Sequence, residues 1–185
     1  MVILYADEAP VTVKNFLSYV DKGEYDKIIF HRVIAGFMIQ AGGYFMDLSD
    51  ADEGDAIFNE ADNGLKNIRG TLAMARLSEI DSARRQFFIN TADNTNLDHS
   101  EESCSRADEQ RRSAALERGL YKPQTCKTFG YAVFGEVISG MEIVEEIELV
   151  DTESSDGFND LPLQPIIIRT IKRMELIDEL SKEPG

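Results

Sequence analysis

The feature that most constrains this chain is a series of short apolar runs, rich in β-branched and aromatic residues, separated by turn-forming residues. Runs of this length and composition are typical of β-strands, because helices need longer periodic stretches. Gly, Asn and Asp separate the runs, as tight turns require. We therefore predict a mostly β protein. The predicted strands cover residues 2–5, 28–34, 37–39, 71–75, 87–89, 131–134 and 166–171.

Two helices are predicted beside the strands. Residues 10–23 begin near a proline and repeat apolar residues at helical spacing. A shorter helix should follow Gly140, with Met141, Val144 and Ile147 on one face. Many short strands and two helices predict a closed antiparallel barrel capped at its ends, because closure removes exposed strand edges. A chain of 185 residues can build one such core, so we expect a single domain over residues 1–174 and a tail over 175–185.

The charge and composition exclude several functions. A net charge of -15 disfavours a nucleic-acid partner, which would require clustered basic residues. No stretch approaches the roughly 18–20 apolar residues that cross a bilayer, so no membrane partner is expected. Two histidines and two cysteines without zinc-site spacing predict no metal. We expect a cytoplasmic protein, or a periplasmic one if a signal peptide precedes residue 1.

One segment, residues 99–129, differs from the rest because six basic residues nearly balance five acidic ones. Ser105 and Asp108 resemble a helix-capping box, Asp108 and Arg112 have the spacing of an ion pair, and Gly119 can end the helix. We predict a solvated helix inserted into the domain.

Candidate chemistry concentrates in a string at residues 30–43, FHRVIAGFMIQAGG, which places Arg32 and Gln40 among apolar side chains. A charge beside apolar surface is costly unless it has a partner or a task. Taken alone, the string also fits a surface arginine paired with one of the 34 acidic residues. A second string, RQFFINTA at 85–92, places Gln86 and Phe88 on one face of a strand, while Phe87 is expected in the core.

These strings resemble the cyclophilin family of peptidyl-prolyl cis-trans isomerases, most closely its bacterial members. The resemblance also rests on APVTVKNF at 9–16, GTLAMAR at 70–76 and GYAVFG at 130–135, and it extends from about Val2 to Met174 around the 99–129 insertion. It implies an eight-stranded barrel with two capping helices. It further implies catalysis of rotation about bonds that precede proline, with Pro-containing peptides and folding proteins as partners and no cofactor. We expect a monomer.

Residue by residue, the resemblance makes Arg32 the catalytic residue. Arg76 and Leu77 match positions that contact the peptide through backbone. Asn96 stands where many eukaryotic members have tryptophan, which removes an aromatic wall and predicts weak inhibition by cyclosporin. The other substrate-binding positions implied are Phe37, Met38, Gln40, Ala75, Gln86, Phe88, Leu97 and Tyr131.

The chain departs from the family at its start. Residues 1–5 match the second strand of the family, so the first strand is expected to be missing. Either the natural start lies upstream, or the chain is a fragment with an open strand edge and reduced stability.

Cys104 and Cys126 flank the predicted inserted helix. A disulfide between them would stabilise the insertion by about 3 kcal/mol and would suit an oxidising compartment. Two free thiols are equally compatible with the sequence.

Two alternatives to an enzyme stay open: a non-catalytic module that binds proline-containing peptides, and an acidic chaperone. The intact Arg32 and Gln40 favour catalysis. His31 is expected to be a packed strand histidine rather than a general acid, and His99 an exposed residue.

Overall fold

The computed structural model describes residues 1–52, 54–120, 126–155 and 157–174. The predicted tail, 175–185, lies outside them. The protein is mostly β, as predicted, with antiparallel strands in two sheets. The strands are β1 Val2–Leu4, β2 Ile28–Ile34, β3 Met38–Phe45, β4 Thr71–Met74, β5 Phe87–Asn90, β6 Val133–Val137, β7 Thr152–Ser155 and β8 Phe158–Pro162.

Strands β1 to β6 form one sheet in the order β1-β6-β4-β5-β3-β2. Strands β7 and β8 form a hairpin, and β8 packs against β2. This hairpin was not predicted, because Thr152–Ser155 is polar and lacks the alternation that marks a half-buried strand.

Both predicted capping helices are present: α1 Pro10–Asp21 and α3 Met141–Glu148. Helix α1 begins with proline, which has no backbone N–H. Proline is favoured there because N–H groups in the first turn have no acceptor within the helix. Its Phe16 packs on the rings of Tyr25, Phe87 and Phe134 in the main core. Helix α3 buries Val144, with Met141 and Ile147 against the same core, as predicted. None of the described helices is long and apolar enough to span a membrane.

The predicted closure of the barrel is not found among the described strands, where β1 and β2 are the two edges of the larger sheet. The predicted strand at 166–171 is reduced to a single bridge, Ile29 to Ile167. Backbone bonds nonetheless tie this segment to β2: Phe30 N donates to Ile166 O at 2.9 Å, and Ile168 N donates to Ile28 O at 2.8 Å. The outer edge of β2 is therefore covered, whereas β1 pairs with β6 alone among the strands that the structure describes.

The insertion contains the predicted helix, α2 Arg106–Glu117. Ser105 Oγ accepts from Asp108 N, and Asp108 Oδ2 accepts from Ser105 N at 3.1 Å, which confirms the capping box. The predicted Asp108–Arg112 pair is wrong. Asp108 pairs with Arg111 at 3.3 Å instead, and Arg112 pairs with Glu109 at 3.6 Å, because both arginines bend back to the acid three residues earlier.

Helix α2 also contacts the body of the protein, so it is not simply solvated. The Arg106 guanidinium lies 3.7 Å from the ring centre of Phe58 and pairs with Asp81 at 3.0 Å. The Ile80 N–H donates to Glu109 Oε1 at 3.0 Å. These contacts fix one side of the helix to the loops before and after β4.

His99, expected to be exposed, is half-buried instead. Its ring lies 4.7 Å from that of Phe129, and its Nδ1 is 2.7 Å from Phe129 O. His99 therefore connects the first residue of the insertion to the last one, Phe129.

Candidate active site

Strand pairing sets a row of residues across one face of the larger sheet. Residues directly opposite one another in antiparallel strands point to the same face. Arg32 of β2 pairs with Gln40 of β3, Gln40 with Phe88 of β5, Phe88 with Ala73 of β4, and Ala73 with Val133 of β6. The sheet therefore connects the predicted catalytic arginine to the predicted apolar positions.

The neighbouring row points the other way, into the main core. Val33 pairs with Ile39, Ile39 with Ile89, and Ile89 with Leu72, and all four belong to that core. Phe87 is likewise a core residue, as expected. The two faces of the sheet thus divide the stabilising residues from the candidate site.

A bulge in β2 decides on which face Arg32 lies. Phe30 pairs with Ala41 and Arg32 pairs with Gln40. Between these two pairs, β2 advances by two residues while β3 advances by one. In a regular strand of the same length, Arg32 would share the inward face of Phe30, because side chains two residues apart point to the same side. The bulge therefore places Arg32 on the outer face of the sheet, in the same row as Gln40 and Phe88.

The extra residue, His31, is buried between the two sheets, as expected for a packed histidine. Its ring lies 4.8 Å from that of Tyr44 and 6.3 Å from that of Phe158. Burial, with a further contribution from the Arg32 charge, lowers the pKa of His31 to about 4. His31 is therefore neutral at physiological pH and is packed between the two sheets.

A separate apolar cluster covers the outer face beside Arg32. Its buried members come from the strands, and its partly buried members come from the end of β2 and from loops at the strand ends. The Phe88 and Tyr131 rings meet edge to face, with centroids 5.7 Å apart. We call this cluster the trough. It comprises Met38, Ala73, Phe88 and Val133, flanked by Ile34, Phe37, Leu65, Ala75, Leu97 and Tyr131.

Gln40 and Gln86 form the polar border of the trough. Gln40 Nε2 donates to Gln86 Oε1 at 2.9 Å. Gln86 lies directly over Gly43, where a Cβ atom would stand 2.6 Å from Gln86 Nε2. The absence of a side chain at Gly43 is therefore what leaves room for Gln86.

Arg32 has an acidic neighbour that the sequence did not indicate. Its Nε lies 3.5 Å from Asp160 Oδ2 on β8, and both side chains are about two-fifths exposed. Arg32 thus forms an ion pair at the surface, as one of the two interpretations of its sequence predicted. Such an exposed pair contributes little stability, yet it restrains the direction of the guanidinium.

Arg76 closes one end of the trough through its side chain. Its Nε donates to Gly130 O at 2.9 Å, its Nη2 donates to Cys126 O at 3.1 Å, and its guanidinium lies 4.8 Å from the Tyr131 ring centre. Burial lowers the pKa of Arg76. Leu77 beside it is 70% exposed. A small cavity of about 130 Å³ adjoins this end, lined by Gln40, Ala75, Arg76, Leu77, Ser82, Arg84 and Gln86.

Buried amides beneath the trough were missed by the sequence reasoning. Asn94 Nδ2 donates to Phe37 O and to Asn90 Oδ1, each at 2.7 Å. Asn67 Nδ2 donates to Leu97 O at 3.2 Å and to Tyr131 O at 3.3 Å. These amides hold the backbone of three trough residues. The available signal was the NTADN string directly after a buried strand, since buried amides are retained where backbone groups need partners.

The structure therefore brings together most of the predicted site residues. Asn96 differs, because it is exposed on the short 3-10 turn Thr95–Leu97, whereas its neighbour Leu97 packs into the trough.

Cys104 and Cys126 are free thiols that lie together beside α2. Burial, together with a hydrogen bond to Cys104, raises the pKa of Cys126 to about 12. The disulfide between them stays a prediction.

An apolar trough bordered by a guanidinium and amides, on the face of an antiparallel sheet, offers a surface on which a short peptide can pack and form hydrogen bonds. Comparison with known proteins narrows the class of protein that carries this surface. A family model described as cyclophilin type peptidyl-prolyl cis-trans isomerase/CLD matches residues 1–173.

Individual relatives agree with the family model. Peptidyl-prolyl cis-trans isomerase A of Dickeya dadantii is 45% identical over 165 residues, which cover 89% of this chain and 74% of that protein. Peptidyl-prolyl cis-trans isomerase B of Escherichia coli is 43% identical over 167 residues, covering 90% and 88%. The crystal structure of a Cryptosporidium parvum cyclophilin, solved in the presence of the dipeptide Ala-Pro, has a TM-score of 0.67 at 25% identity and covers 94% of this chain and 91% of that one.

The chain belongs to the cyclophilin-type peptidyl-prolyl cis-trans isomerases. It is an enzyme that catalyses cis-trans isomerisation of peptide bonds preceding proline.

Proposed function

We propose that Arg32 is the catalytic group and that the trough holds the proline of a substrate peptide beside it. The observation that carries this proposal is the register: Arg32, Gln40 and Phe88 stand in one row across three adjacent strands. A proline ring lying on Phe88 and Met38 therefore has a guanidinium within reach along the same face. The Ala-Pro dipeptide of the Cryptosporidium cyclophilin structure supports a Pro-containing peptide as the occupant.

The chemistry needs no covalent intermediate. An X-Pro bond rotates over a barrier of about 18–20 kcal/mol, because the amide C–N bond has partial double-bond character. Rotation becomes easier when the prolyl nitrogen turns pyramidal and keeps its lone pair. Arg32 donates a hydrogen bond toward that lone pair in the transition state, and a guanidinium keeps its protons at all physiological pH values.

The remaining polar residues orient the peptide. Gln40 and Gln86 hold each other through the bond between their side-chain amides at the border of the trough. They bind the substrate backbone next to the proline. Asp160 keeps the Arg32 guanidinium aimed along the row.

Exchange of arginine for alanine tests the assignment, and Arg69→Ala is the matched control. Arg69 is an arginine of similar exposure that pairs with Glu145 far along the sequence, as Arg32 does with Asp160. We expect Arg32→Ala to lower kcat/KM for an Ala-Pro peptide by roughly 100-fold, the effect typical of removing one transition-state donor. Arg69→Ala should leave the rate unchanged.

Both variants should unfold cooperatively at a denaturant concentration close to that of the wild type, since exposed ion pairs contribute little. Wild-type turnover in folded Arg32→Ala would refute the assignment. It would favour the alternative in which the trough binds proline-containing peptides and the rate arises from another group.

A further inference from the structure

The two cysteines lie at the point where the insertion meets the active site. Cys104 precedes α2, and Cys126 begins the 3-10 turn Cys126–Phe129 after it. Cys126 is buried in a small second core formed with Ala61, Ile80, Phe129 and Ala132, and Cys104 packs against the same core from its partly exposed position.

A second tie holds the two ends of the insertion together. The Cys104 N–H donates to Thr128 Oγ1 at 3.4 Å, so the backbone before α2 is bonded to the turn after it. The free thiols are therefore already side by side in the folded protein.

One side chain joins this point to the trough. The Cys126 carbonyl accepts from Arg76 Nη2, and the Gly130 carbonyl, four residues later, accepts from Arg76 Nε. The same guanidinium lies over Tyr131, whose ring meets Phe88 in the trough. A change in the backbone of Cys126 thus reaches a substrate-binding residue through a single arginine.

We propose that Cys104 and Cys126 form a reversible disulfide and that its redox state sets the position of Arg76 and Tyr131 at the end of the trough. The effect on turnover rests on the proposed function, whereas the effect on Arg76 does not.

The reaction is thiol-disulfide exchange with a small-molecule disulfide such as oxidised glutathione. Cys104, the more exposed thiol, attacks one sulfur of glutathione disulfide as its thiolate and releases one glutathione thiolate. Cys126 then loses its proton and attacks Cys104 Sγ, which expels the second glutathione. Two protein thiols are oxidised, one glutathione disulfide is reduced to two thiols, and the two cysteine protons go to the released thiolates.

Burial of the Cys126 thiol has a consequence for the rate. A thiol with a raised pKa is less often ionised at neutral pH, so burial slows the second step, and the proximity of the two cysteines in the folded protein offsets that loss.

The test uses the whole chain equilibrated with glutathione buffers of increasing oxidised fraction, followed by alkylation and mass measurement. We expect native wild type to pass from two alkylated cysteines to none, without a covalent dimer. Cys104→Ser cannot form the bridge and is the matched control, because position 104 is partly exposed and lies outside the trough. Two alkylated cysteines throughout the titration would overturn the proposal.

Two readouts then measure the coupling. The ¹⁵N–¹H resonance of Arg76 Nε should shift between the oxidised and reduced wild type and stay fixed in Cys104→Ser. The kcat/KM for an Ala-Pro peptide should differ at least threefold between the two wild-type states and not between those of the variant. A bridge that forms without moving the Arg76 resonance would refute the coupling.

The two proposals fail in different ways. A shift of the Arg76 resonance in a protein whose turnover does not depend on Arg32 would refute the catalytic assignment and leave the redox site intact. Loss of activity in Arg32→Ala with an unmoved Arg76 resonance would do the reverse.

Discussion

Gly43→Ala perturbs the active site without replacing a residue that binds substrate. Gly43 does not have a left-handed backbone, so alanine fits the main chain. Its Cβ would lie 2.6 Å from Gln86 Nε2 and 2.7 Å from Gln86 Cδ, well inside van der Waals contact. The Gln86 side chain must therefore move away, and the hydrogen bond to Gln40 breaks.

The magnitude follows from that one bond. A typical intramolecular hydrogen bond contributes about 0.5–1.5 kcal/mol net, so the free energy of unfolding should fall by about 1 kcal/mol. If Gln40 and Gln86 orient the substrate only when bonded, the activation free energy should rise by a similar amount. A rise of about 0.7–1.4 kcal/mol corresponds to a roughly three- to tenfold lower kcat/KM.

A double-mutant cycle with Gln86→Ala checks the cause. In the Gln86→Ala background nothing remains for the new methyl group to displace, so Gly43→Ala should leave kcat/KM unchanged. The assay is the relaxation of a short Ala-Pro peptide for all four proteins, with denaturant unfolding in parallel. An equal loss of activity in both backgrounds would refute the reasoning, because it would show that Gly43 acts on the backbone and not through Gln86.

Three further predictions follow from the site. His31, with a pKa of about 4 when folded and about 6.5 when unfolded, should make the protein less stable as pH falls from 6.5 toward 4, by about 2 kcal/mol at pH 5. Denaturant unfolding at pH 7 and pH 5 should show this loss in the wild type and a smaller one in His31→Phe; equal losses would contradict it. Asp160→Asn should lower kcat/KM about threefold without changing stability measurably, because the pair is half-exposed, and an unchanged rate would show that Asp160 does not aim Arg32. Cyclosporin should inhibit the wild type weakly, because exposed Asn96 offers no aromatic wall, and tight inhibition in a titration would contradict this.

Local pattern was sufficient to predict the elements with strong periodicity. Helices α1 and α3 and strands β2, β4 and β5 lie close to their predicted positions, because repeated apolar residues mark their buried faces. Strands β3 and β6 extend past their predicted ends, to Phe45 and Val137. The capping box of α2 is equally local. The polar hairpin β7–β8 has no such repeat, so it depends on the partner against which β8 packs.

The resemblance predicted a set of candidate site residues, but it did not predict the geometry in which the structure places them. Resemblance to a family supplied Arg32 and the trough residues, but alternation along the strand does not reveal the bulge that turns Arg32 outward. Asp160 and the buried amides act through contacts between residues far apart in sequence. The docking of α2 likewise depends on Asp81 and Phe58, which no pattern near the helix indicates.

The bulge at His31 also bears on how this enzyme tolerates changes in length. The chain accommodates an insertion from residue 99 to 129, because both ends of that loop meet at the surface of the domain. Deleting the single residue 31 would instead keep Phe30 opposite Ala41 and Arg32 opposite Gln40, but it would remove the ring that packs against Tyr44 and Phe158. The region between the two sheets would then lose a buried side chain. Homologues of this enzyme should therefore vary freely in the length of the loop and hardly at all in the number of residues between Ile28 and Ile34.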